Sequence, residues 1–84
     1  MYQVIFDSKA IEYLEKLERK QAERIWKKIM LAKTDPHRFF EQLVGRDDYK
    51  LRVGDYRVIA DIDDSLKRIE ITLIGHRKNI YKKI

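Results

Sequence analysis

The chain has 84 residues, 44% of them hydrophobic, no cysteine, and 19 Lys and Arg against 14 Asp and Glu for a net charge of +5. A chain of this length makes one domain, residues 1–84, and buries only about 60% of its unfolded surface. Without cysteine there is no disulfide framework or thiolate metal site. The two histidines, His37 and His76, lie far apart, and no run approaches the ~18 apolar residues of a membrane span, so the expectations are no metal, no cofactor, no membrane contact and a cytoplasmic location.

Tyr2 to Phe6 alternates and is rich in β-formers, which predicts a short strand. Asp7 and Ser8 follow as helix N-caps, since either side chain can accept from the free N–H groups of a first turn. A helix is expected from about Lys9 to Glu18, with Ala10, Tyr13, Leu14 and Leu17 on one face. A second apolar stripe uses Ala22, Ile25, Trp26, Ile29 and Met30, turned by roughly a third of a turn from the first. A single straight helix would aim Glu15 and Glu18 at the core, so a break is expected near Arg19 to Gln21, giving a helical hairpin. Asp35-Pro36 ends the second helix, and one further helical turn is expected over 37–42.

After Gly45 the period changes to two. Tyr49, Leu51 and Val53 alternate with Lys50 and Arg52, with Leu43 and Val44 as a possible extension of this strand. Gly54-Asp55 marks a turn. Tyr56, Val58, Ala60 and Ile62 alternate with Arg57, Ile59 and Asp61, and Asp63-Asp64-Ser65 marks a second turn. Ile69, Ile71 and Leu73 alternate with Glu70, Thr72 and Ile74, and Gly75 ends the strand. A terminal helical turn is expected within Asn79–Ile84. The order predicts an α+β two-layer domain: an N-terminal strand, a helical hairpin, then an antiparallel three-strand meander that the first strand joins. The helices cover the apolar face, and the other face is left mixed and open.

That open face is where chemistry is expected. Alternation puts Lys50, Arg52 and Arg57 on it, and Arg77 follows the last strand to the same edge. Guanidinium groups grip phosphate oxygens in bidentate fashion, and lysine acts as a point charge. Crowded positive charges also disfavour one another's protonation, so a cationic cluster can supply a general base as well as a phosphate grip. RNA cleavage asks for little more: a group to take the 2′-OH proton, charge to stabilise the phosphorane, and a donor for the leaving 5′ oxygen.

The core Y-K-L-R-V-G-D-Y-R-V (Tyr49–Val58) and the ending G-H-R-K-N-I-Y (Gly75–Tyr81), with the strand, hairpin and meander order, resemble the RelE toxins of the RelE/ParE superfamily across nearly the whole chain. The resemblance implies a RelE-like fold and a ribosome-dependent mRNA endoribonuclease. Such a toxin cuts the A-site codon by 2′-OH attack and is neutralised by a RelB-type antitoxin, acidic and partly disordered when free, with a heterotetramer as a possible assembly. Carried over residue by residue, Lys50 is the general-base candidate. Arg57 and Arg77 bind the scissile phosphate, and Arg52 and Lys78 hold neighbouring phosphate. Tyr81 stacks on a base or orients the 2′-OH, and His76, with an unperturbed pKa near 6.5, is the candidate acid. The chain departs from the pattern at Asp48, where some members carry a further lysine; this predicts a weaker cationic cluster.

Each of these residues has a structural alternative. Arg52 and Arg57 could form cross-strand ion pairs with Asp55, Asp61 or Glu70, and Lys50 and Arg77 could be solvated. His76 could brace the sheet end, and Tyr81 could anchor the tail. Tyr49, Tyr56 and Trp26 read as core, and His37 reads as a loop residue. Two other functions stand beside RNA cleavage: a ParE-like poison of DNA gyrase, and a degenerate, non-catalytic binding module.

Overall fold

The computed structural model describes residues 1–84. Strand β1 (Gln3–Phe6) leads into helices α1 (Ser8–Lys16) and α2 (Arg19–Ala32), a short α3 (Pro36–Phe39), and strands β2 (Glu41–Gln42), β3 (Tyr49–Val53), β4 (Tyr56–Asp63) and β5 (Arg68–His76). A single 3-10 turn, Ile80–Lys82, follows. The five strands form one sheet in the order β1-β5-β4-β3-β2. All neighbours are antiparallel except β1, which pairs parallel to β5. The expected α+β fold is present, with β2 as an edge strand where a helical turn was expected to continue. No helix is long and apolar enough to cross a membrane.

The helical hairpin breaks two residues earlier than its stripes suggest, at Leu17, which is extended at φ −79° and ψ 153°. Asp7 sits at the N-cap of α1 but makes no side-chain capping bond. Its carboxylate is instead shared with Glu70 on β5. That hydrogen bond, with the Asp7 charge, raises the Glu70 pKa above the ordinary carboxylate value.

The helix-covered face holds the main core. Ala10, Ile25, Ile29, Leu51, Val53, Val58, Ala60, Ile69, Ile71 and Ile74 are buried together, and Tyr13, Leu14, Leu17, Tyr49 and Tyr56 pack at the margin. Trp26 is not core: it is 48% exposed and stacks on Phe6 with ring centroids 5.6 Å apart. The apolar arc of α2 is wider than the sheet surface it covers, so the residue at its rim stays wet.

The last strand departs from simple alternation. Ile59 pairs with Leu73 but Ala60 pairs with Ile71, so Thr72 is an extra residue, a β-bulge. Its hydroxyl donates to the Ile59 carbonyl at 3.2 Å. The bulge inverts the facing of everything after it. Ile74 turns into the main core, while Leu73 turns to the other face and packs with Leu43, Ile59, Ile80 and Ile84 in a second, smaller cluster. The face expected to be open is therefore partly covered by the C-terminal tail.

Candidate functional site: a cationic face under the C-terminal tail

The small cluster positions the tail. Ile80 is fully buried, and its Cδ1 lies where a Cβ on residue 75 would be only 2.8 Å away, so Gly75 is required for the close approach. With Ile80 held, the neighbouring Tyr81 comes to rest over the sheet, 45% exposed. The Lys50 ammonium lies 5.8 Å from the centroid of its ring, a cation–π distance. Lys50 itself is half-buried, between Glu41 on β2 and Ile59 on β4.

Beside that pair, Arg52 and Arg57 lie directly opposite each other in the β3–β4 register. Like charges in that position repel and cost stability. Neither is in an ion pair, since the four such pairs in the molecule are Arg19–Glu23, His37–Asp64, Arg46–Asp48 and Arg77–Asp55. The cross-strand salt bridges considered as alternatives for Arg52 and Arg57 are absent. Arg57 Nη1 donates to the carbonyls of Gly54 and Tyr56, each at 2.8 Å, which fixes the guanidinium while its other N–H groups stay free. Gly75, against which Ile80 docks, stands opposite Arg57 on β5. Arg77 reaches the same end, with its backbone N–H on the Asp55 carbonyl at 2.7 Å and Nε 3.6 Å from the Asp55 carboxylate. Lys78 is exposed beside it.

His76 is not brought into this group. Its register partner is Tyr56, so it leans to the helix side of the sheet, with its ring edge-on to Tyr56 at 5.8 Å. Its Nδ1 accepts from the Lys78 backbone N–H at 3.1 Å. The Thr72 bulge is the cause, because without the extra residue His76 would follow the opposite parity. Burial, with the neighbouring Tyr56 adding to it, raises the Tyr13 pKa above its ordinary value.

Asp48, which departs from the family pattern, is held by Arg46 through two bonds, Nε to Oδ1 at 2.8 Å and Nη2 to Oδ2 at 2.9 Å. Arg46 lowers its pKa. The negative charge next to the site is thus neutralised within its own loop. His37, read as a loop residue, instead lies on α3 with Nε2 2.7 Å from Asp64 Oδ1. The Tyr2 hydroxyl donates to that same oxygen at 2.6 Å, and the two partners lower the Asp64 pKa. No sequence signal pairs residues 2, 37 and 64; the sheet order does. No group of three or more His, Asp or Glu side chains is arranged to hold a metal ion.

A bulged sheet backed by a helical hairpin on one face, with unpaired cations and a docked tail on the other, defines a small two-layer α+β domain with a cationic face. Residues 4–81 match the family model described as the ParE toxin of the type II toxin–antitoxin system parDE. The chain belongs to that family, within the RelE/ParE superfamily of type II toxins. It is similar to the toxin in the RelBE2 toxin–antitoxin complex of Mycobacterium tuberculosis, with 25% identity over 90% of this chain and 98% of that chain and a TM-score of 0.83. The intact E. coli RelBE complex gives 26% identity over 90% and 96% with a TM-score of 0.77. The archaeal RelE–RelB complex from Pyrococcus horikoshii gives 25% over 90% and 94% with a TM-score of 0.74. No curated protein sequence matches the chain.

Proposed function

We propose that this toxin is a ribosome-dependent mRNA endoribonuclease of the RelE type, acting in the cytoplasm and cutting the A-site codon by 2′-OH attack. The observation that carries the reading is the Lys50–Tyr81 contact at 5.8 Å beside the unpaired Arg52–Arg57 couple. An aromatic ring presented next to a lysine suits a nucleotide whose base stacks while its ribose faces the amine. Lys50, as the neutral amine, takes the 2′-OH proton. Arg57 and Arg77 bear on the scissile phosphate and stabilise the charge that grows on the phosphorane. Arg52 and Lys78 hold flanking phosphates. With His76 turned to the other side of the sheet, the guanidinium N–H groups and the Tyr81 hydroxyl are the donors that face the leaving 5′ oxygen.

The partner that silences it is a RelB-type antitoxin, as in the solved complexes of its relatives, with a heterotetramer as the assembly to test. A second reading follows from the family description itself, which is that of ParE: a gyrase poison that cleaves no RNA. Programmed ribosomes carrying an mRNA stalled at a known codon separate the two. A new 5′ end inside the A-site codon, lost with Arg57→Ala, supports the endoribonuclease. No new end beside an active control toxin, with DNA breaks in cells, supports the gyrase reading.

A further inference from the structure

Outside the Lys50 group, the densest uncompensated charge lies on α2. Lys20, Arg24 and Lys27 follow a four-then-three spacing, with Leu31 four residues on, so they form one stripe along the exposed side of the helix. The three charges span about 10 Å of helix rise. Arg24 and Lys27 line two adjoining depressions; one also takes in Lys20, and the other takes in Lys28, Arg52 and Gly54. Gly54 has a φ of +58°, and a Cβ there would lie 2.8 Å from the Arg24 guanidinium nitrogens, so the glycine lets Arg24 lie against the β3–β4 turn. Glu23, the one acid of α2, is bound to Arg19 at 3.2 Å, and Asp55 beside Gly54 faces Arg77. Lys20, Arg24, Lys27, Lys28 and Arg52 have no carboxylate partner.

We propose that this stripe, joined to the cationic sheet face through Arg52, is a second binding track for the backbone of double-helical RNA. Like charges at these helix spacings are unfavourable by themselves, and a row of phosphates relieves them by displacing counterions. An acidic peptide would need apolar anchors in the groove, but Leu31 and Val53 are the only apolar residues lining the Arg52 depression. A single strand would need exposed aromatic rings to stack its bases. Trp26, the exposed ring of α2, stacks on Phe6 and stands at least about 100° around the helix from Lys20, Arg24 and Lys27, and Phe39 is flanked by Lys28 and Arg38 at 5.6 and 5.8 Å from its centroid. The choice of RNA over DNA rests on the endoribonuclease reading, because Arg52 serves both surfaces.

The test is fluorescence anisotropy of the full chain with a short RNA duplex, the same sequence as DNA duplex, single-stranded oligouridine and an oligoglutamate peptide. Wild type is compared with Lys20→Ala/Arg24→Ala/Lys27→Ala between about 50 and about 200 mM salt. The triple variant should bind the RNA duplex at least about tenfold more weakly, with the slope of log K against log salt shallower by about 2 to 3. Wild type should prefer the RNA duplex to the other three probes. An unchanged affinity and slope overturns the proposal, and so does equal or tighter binding of DNA, oligouridine or peptide. The double variant Arg24→Gln/Lys27→Gln gives the same readings, with a slope change of about 2, should the triple variant fail to fold. Arg57→Ala, run alongside on programmed ribosomes, should lose A-site cutting. Continued cutting by that variant with duplex loss in the triple variant removes the site reading and leaves the track standing.

Discussion

The two faces of the same sheet are built on different scales. The helix-covered face buries twelve residues in one cluster, from five elements and Phe40 between α3 and β2. The tail-covered face buries three, Leu43, Ile59 and Ile80, with Lys50, Arg52 and Arg57 towards one end of it and the carboxylates Asp61 and Glu70 towards the other. One face stabilises the molecule; the other keeps only enough apolar contact to hold a tyrosine over a lysine. Stability and function should therefore separate by face, which mutation can check.

The largest effect is expected on the helix side. Ile29→Ala removes a fully buried side chain and should cost about 2–5 kcal/mol in a urea melt, with unchanged cutting per folded molecule at a temperature where the variant is native. A drop in cutting of the folded variant would show that the faces are coupled. Arg57→Ala should do the reverse. Loss of one phosphate-binding donor should lower ribosome-dependent cutting by about 100-fold or more, while the melting midpoint stays put, because the substitution also relieves its repulsion with Arg52. Full cutting by this variant would remove the site assignment. Ile80→Ala probes the small cluster. It should release the tail and lower cutting about tenfold through lost positioning, with a smaller stability loss than Ile29→Ala. Restoration by Ile80→Val but not by Ile80→Ser would tie the effect to apolar docking.

The smallest effects concern pH. Asp48 and Asp64 have pKa values lowered from the ordinary 3.8 by Arg46 and by Tyr2 with His37, respectively. Their contribution is present above that value and lost as pH falls through the depressed values. Thermal melts should thus decline at the acid end, less steeply in Asp64→Asn. Glu70 has the opposite sign: its pKa is raised above 4.5, mainly by its hydrogen bond to Asp7, so its contribution is present at low pH and lost as pH rises through the raised value. Glu70→Gln should match wild type in acid and melt higher at neutral pH. An identical midpoint at neutral pH would mean the Asp7–Glu70 contact does not persist in solution.

Much of the fold was legible because its signals are local. The period change after Gly45 announces the strands, the offset stripes announce the hairpin, and Asp35-Pro36 closes α2. Several site residues could be read from alternation alone: Lys50 and Arg52 share a face by period two, and the two-residue Gly54-Asp55 turn puts Arg57 on it as well. Parity fails at one inserted residue. Thr72 carries no mark of a bulge, yet it moves Leu73 and Ile74 to exchanged faces and takes His76 out of the cationic group. Trp26 lies outside the core for a related reason, since a helical stripe says which side is apolar and not how wide the covering surface is.

By itself, the sequence determined the element order, the α+β class, the cationic strands and, through the Tyr49–Val58 and Gly75–Tyr81 segments, the resemblance that the family match supports. These depend on neighbours a few residues apart, where hydrogen-bonding period and side-chain parity act. Only the tertiary structure decided that β1 runs parallel beside β5, that Asp48 is neutralised by Arg46, and that Tyr2 and His37 meet on Asp64. It also decided that Ile80 docks against Gly75 and so carries Tyr81 to Lys50. Those contacts join residues distant in the chain, and their partners are set by sheet order and a single bulge, which no local pattern encodes.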